Sequence, residues 1–143
     1  MKEITGNLWD YRGGGAIVIT TNGAINAKGE CVMGRGTAAQ AKRFYPGIAL
    51  RIGAMVNTHG NHVYMFDMHD TILITFPVKR HWNELADYQL IKQSVEELKI
   101  ITERVGTRTI FMPRPGCGNG GLTWDEVKPL LSLLDDRFTI VNR

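Results

Sequence analysis

The chain has 143 residues, 43% hydrophobic and 22% charged, the size and balance of one soluble globular domain over residues 1–143, with room for one site. No run approaches the ~18 apolar residues of a membrane helix, and the start Met1-Lys2-Glu3-Ile4-Thr5-Gly6 lacks an export signal, so a cytoplasmic monomer is expected. The net charge of +3 is scattered rather than gathered into a stripe, which does not point to duplex nucleic acid.

Ala16 to Thr21 is a continuous β-branched run and predicts a central strand buried on both faces. Gly36 to Phe44 has good helix formers and stops before Pro46, where a helix is expected to end. A second helix is expected over Ile48 to Val56. His62 to Phe66 and Thr71 to Phe76 are apolar, and the turn residues between them predict a hairpin. Asp87 to Val105 places Leu90, Ile91, Val95, Leu98 and Ile101 at helical spacing. Thr109 to Met112 reads as a short strand running into a glycine-rich loop. Thr123 and Glu126 fit a capping box at a helix start, with Pro129 making the helix irregular. Phe138 to Val141 reads as the closing strand.

Strands alternating with helices imply a three-layer α/β/α sandwich with a mixed, largely parallel sheet, and ligands of such sheets bind beyond the carboxyl ends of the strands. Three segments fall at that edge: the loop after Thr21, the turn Phe76-Pro77-Val78-Lys79, and the loop after Met112. The last contains Gly116-Cys117-Gly118-Asn119-Gly120-Gly121-Leu122. Between a strand and a helix, its amides can converge on an anion. No Gly-Lys-Ser/Thr follows, so it is not a nucleotide-triphosphate loop. Met33-Gly34-Arg35-Gly36 also precedes a helix and offers a second set of donors. Asn22 and Asn26 are candidates for sugar hydroxyls. Lys79 stands at a strand end, where an amine binds phosphate or attacks an electrophile, and Trp82 either covers the cleft or packs, with packing the preferred reading. The histidines and cysteines show no metal-ligand spacing, so neither a metal nor another cofactor is expected. Cys117 has no neighbouring histidine and reads as a small loop residue.

Taken together, these segments resemble the macrodomain family, in the branch of the terminal ADP-ribose protein glycohydrolases and the DNA ADP-ribosyl glycohydrolase antitoxins. Met112 to Trp124 is similar to the second phosphate loop, and Val32-Met33-Gly34-Arg35-Gly36 to the first. Ile4 to Trp9 is similar to the opening strand-turn, so Asn7 and Leu8 are implied to address adenine, with Asn7 where the family has aspartate. Phe76 to Trp82 resembles the antitoxin segment that carries the catalytic lysine, which implies that Lys79 acts at the distal ribose by attack or by its charge. Gly120 stands where the protein-directed enzymes have an acid, which favours the antitoxin pattern. The resemblance implies binding of ADP-ribose or an ADP-ribosylated substrate, DNA or protein, and an ADP-ribosyl glycohydrolase. An ADP-ribose 1''-phosphate phosphatase and a non-catalytic reader remain the alternatives.

Overall fold

A computed structural model describes residues 1–143. The strands are β1 (Lys2–Thr5), β2 (Ala16–Asn22), β3 (Met65–Asp67), β4 (Ile72–Lys79), β5 (Ile110–Met112) and β6 (Phe138–Asn142). The helices are α1 (Gly36–Phe44), α2 (Ile48–His59), α3 (Tyr88–Val105) and α4 (Trp124–Val127). The strands form one sheet in the order β1-β6-β5-β2-β4-β3. Every pairing is parallel except that of β3 with β4.

Strand periodicity divides the core. Ile17 and Ile19 of β2 face α1 and α2, packing with Ala38, Ala41, Ile48 and Ile52. Ala16 and Val18 face the other way, toward Ile91, Val95 and Leu98 of α3 and Val127 just before the 3-10 turn Lys128–Leu131. Each fully buried aliphatic side chain contributes about 1.5–3 kcal/mol, so both faces of the sheet hold their helices and the result is an α/β/α sandwich. No helix is long and apolar enough to cross a membrane.

Several boundaries depart from the periodicity. The hairpin forms, but β3 begins at Met65 instead of His62. Side chains capture the backbone just before it: the Val63 amide donates to Glu97 Oε1 at 2.9 Å and the Tyr64 amide to Thr75 Oγ1 at 2.8 Å. The second helix continues past Val56 to His59 and stops at Gly60, whose φ is 99°; its last turn is exposed, so apolar spacing carries no sign of it. Phe76 to Lys79 is strand, not turn. The β2–β4 register pairs Thr21 with Pro77 and Asn22 with Lys79, so an irregularity accommodates the proline in the strand. The capping box on Thr123 and Glu126 is present, and the backbone tightens to 3-10 at Lys128–Leu131, around Pro129.

Candidate functional site

Strands β2, β4 and β5 end at one edge of the sheet, and a cavity of about 450 Å³ opens over their carboxyl ends. A second cavity of about 420 Å³ lies beside it, under the β1 end and the start of α4. Gly36, Thr37, Pro113, Arg114 and Gly118 line both, so the two form one cleft with a waist. No Asp or Glu lines either part, whereas Arg35, Lys79, Arg114 and Arg143 do. Such a lining favours an anion.

Lys79 stands at the far end of the first cavity because its strand end is pinned residue by residue. The Val78 carbonyl accepts from the Asp87 amide at 2.8 Å, and the Arg80 carbonyl from the Gly23 amide at 3.2 Å. Between them the Lys79 carbonyl accepts from Asn61 Nδ2 at 3.0 Å. The amine then reaches across the cleft, donating to the Asn119 carbonyl at 3.2 Å and to the Trp82 carbonyl at 3.5 Å.

The waist is built from backbone. An α-helix leaves its first N–H groups without intrahelical partners, no side chain caps α1, and Gly36, Thr37 and Ala38 of its first turn line the first cavity. From the other side comes the loop after β5. A Cβ on Gly120 would lie 2.4 Å from the Gly116 carbonyl oxygen, and one on Gly116 3.0 Å from Ile91 Cδ1. Glycine at these positions lets the loop fold on itself. At Gly118 a Cβ would meet nothing within 4 Å, so this residue faces open cleft. Donors from a helix start and a glycine loop, facing each other across such a waist, can hold a diphosphate.

No protein-family model matches the sequence. The DNA ADP-ribosyl glycohydrolase of Thermus aquaticus is 27% identical over 135 residues, 90% of this chain and 36% of that protein. The chain thus spans about a third of the length of this curated relative. Among solved structures, the macrodomain of Thermus aquaticus DarG is 25% identical and superposes with a TM-score of 0.82 over 99% of this chain and 97% of that one. The chain has the macrodomain fold and is similar to the macrodomains of DarG. The same fold, at 20% identity and a TM-score of 0.82 over 99% of this chain and 42% of the other, occurs in Thermosipho africanus DarTG in complex with ADP-ribose.

In this macrodomain the residues singled out from the sequence fall into three groups. Asn22, Met33, Gly34, Arg35, Gly36, Lys79, Gly116, Gly118, Asn119 and Gly120 line the first cavity. Asn7, Leu8, Cys117 and Leu122 line the second, again with Gly36 and Gly118. Asn26 and Gly121 line neither. Asn26 Oδ1 accepts from the backbone amides of Lys28 and Glu30 at 2.9 and 3.0 Å, so its side chain closes its own loop. Asn22 lines the cavity with both ends of its amide already used: Oδ1 accepts from the Ala24 amide at 2.8 Å and Nδ2 donates to the Val32 carbonyl at 2.9 Å. Asn7 Oδ1 caps a 3-10 turn by accepting from the Trp9 amide at 3.1 Å, which leaves it a second lone pair. Burial raises the Cys117 thiol above its ordinary range, which disfavours the thiolate.

Thr37 and Arg114 line the cleft without being singled out from the sequence, and Trp82 lines it against the preferred reading. Thr37 accepts from the Thr20 amide at 3.1 Å and ties α1 to β2; a threonine in a helix's first turn carries no special signal. Arg114 lies over the Trp124 ring at 4.9 Å, and its buried Nε has no partner. Its setting in Pro113-Arg114-Pro115 was the available hint, since flanking prolines stiffen the backbone. Trp82 is not packed away: it lines the first cavity, because the chain leaves the sheet at Lys79 and no core position lies beneath the next residues.

Proposed function

We propose that this macrodomain binds ADP-ribose along the cleft and hydrolyses the bond between its distal ribose and a DNA base. The DNA ADP-ribosyl glycohydrolase of Thermus aquaticus supports the reaction class, and DarTG in complex with ADP-ribose supports the ligand. The second cavity, with Leu8, Leu122 and Trp124 beside Asn7, suits adenine. The waist takes the diphosphate, and the first cavity takes the distal ribose. In the net reaction the base nitrogen leaves the anomeric carbon and a water oxygen bonds to that carbon. One water proton goes to the base, and the other stays on the new hydroxyl.

The observation that carries the reading is the position of Lys79, whose backbone is pinned at three successive carbonyls and whose amine lines the end of the cleft where that carbon would lie. Orientation of this kind is a major source of rate. Lys79→Ala lowers release of ADP-ribose from a modified oligonucleotide by roughly 100-fold or more, the general scale of a positioned catalytic group, while ADP-ribose affinity stays within about tenfold. Lys79→Arg does not restore the rate if the amine attacks, because guanidinium stays protonated. Parental turnover in Lys79→Ala removes the residue from the mechanism, and calorimetry without binding at millimolar ADP-ribose removes the whole reading.

The lack of any carboxylate in the lining favours one second reading, a reader that binds ADP-ribose without chemistry, since no acid is placed to activate water. Absence of turnover on modified DNA, modified protein and ADP-ribose 1''-phosphate, with binding intact, selects it.

A further inference from the structure

The open end of the cleft carries a single aromatic side chain. Trp82 is 52% exposed and lines the first cavity with Lys79, three positions earlier. It packs against neither core. Its one aromatic neighbour is the tilted His81 ring, with centroids 5.6 Å apart. Its carbonyl accepts from the Lys79 amine at 3.5 Å, so the backbone that bears the indole is tied to that amine. An indole left half in water forfeits apolar burial that a core position would supply, and in the lining of a cleft its flat face is free to stack on a planar ligand.

The charges around it narrow what binds. The ionic side chains lining this cavity, Arg35, Lys79 and Arg114, are all cationic. An aromatic face beside cations, without a carboxylate, is the combination that holds single-stranded nucleic acid: a base stacks on the ring and phosphates meet the cations. In a duplex both faces of a base are already covered by its neighbours, so only an unpaired base can use the indole.

We propose that Trp82 is the stacking platform for the nucleobase attached to the distal ribose. The proposal rests on the reading that this cleft takes ADP-ribosylated DNA. Trp82 acts on the leaving group, at the opposite end from adenine.

The test compares two affinities in a Lys79→Ala background, where slow turnover leaves the complex intact: a short single-stranded oligonucleotide carrying one ADP-ribosylated base, and free ADP-ribose. The oligonucleotide binds at least about tenfold tighter, the scale of one base–aromatic stack. Adding Trp82→Ala removes that preference, while adding Trp82→Phe keeps most of it. An ADP-ribosylated peptide gains nothing from Trp82. The proposal is overturned if the ratio survives Trp82→Ala, if free ADP-ribose weakens as much as the oligonucleotide, or if the peptide shows the same dependence. A Trp82-dependent preference in a protein whose Lys79 form never turns over substrate leaves this inference standing and fells the catalytic reading alone. Failure to bind ADP-ribose at all fells both.

Discussion

Gly118 and Gly120 lie two positions apart in one loop, yet a side chain at each would meet different things. At Gly120 a Cβ presses on the Gly116 backbone, while at Gly118 it enters open cleft. Gly120→Ala is therefore a folding mutation, costing about 1–3 kcal/mol as overpacking does and lowering Tm by roughly 5 °C. Gly118→Val keeps the parental Tm and loses ADP-ribose affinity by about tenfold or more, because its methyls occupy the phosphate path. Thermal melts and calorimetry on the pair decide this, and parental binding by Gly118→Val would sink the two-loop waist. The sequence marks both glycines alike. A run of residues states that a loop is glycine-rich, but only the folded loop separates a glycine spent on close approach from one that leaves room for a ligand. Asn26 makes the same point, since its side chain is used up locally by Lys28 and Glu30.

At the scale of elements, Asp87 does two jobs with two different groups. Its backbone amide pins the Val78 carbonyl, and its carboxylate caps α3 by accepting from the amides of Gln89 and Leu90 at 2.8 and 3.2 Å. The Leu90 bond, followed by the Arg80 guanidinium, holds the carboxyl below its ordinary range. A depressed folded value means that this stability is present above the unfolded value and is lost as pH falls through the folded one. Asp87→Ala accordingly costs about 1 kcal/mol at neutral pH, the usual worth of such a cap, and the difference from the parent shrinks below about pH 4. Urea unfolding at pH 7 and pH 3 measures it, and an equal gap at both would mean that the charge plays no part. Elements were legible where one signal dominated: the β-branched run of β2, the helical spacing of α3 and the capping box of α4. Boundaries were not legible where a distant side chain decides them, as Glu97 and Thr75 do ahead of β3. Nor was the true end of β4, because a proline inside a strand is acceptable only once its partner's register shift is known.

Across the whole molecule, Cys31 reports on the core between the sheet and α1 and α2. Burial pushes its thiol up to about 11. The raised folded value makes its contribution to stability complete below the unfolded pKa near 8.5–9 and lost as pH rises toward the folded one. At pH 8 a thiol reagent should therefore modify half-buried Cys117 first, and Cys31 only at the rate at which the fold opens. Equal rates for both thiols in the native protein would show that the Thr21 to Cys31 segment opens on its own.

The outermost parallel strand raises a question of timing. β1 pairs only with β6, and the N-terminal ammonium donates to the Leu134 carbonyl across a separation of 133 positions. During synthesis at ~5–20 residues per second, β1 waits on the order of ten seconds for its partner. An apolar segment left that long without one invites pairing with another nascent chain. Lys2, Glu3 and Thr5 are exposed even in the finished fold, and Ile4 alone tucks partly inward. β1 is thus a strand that water can keep until β6 arrives.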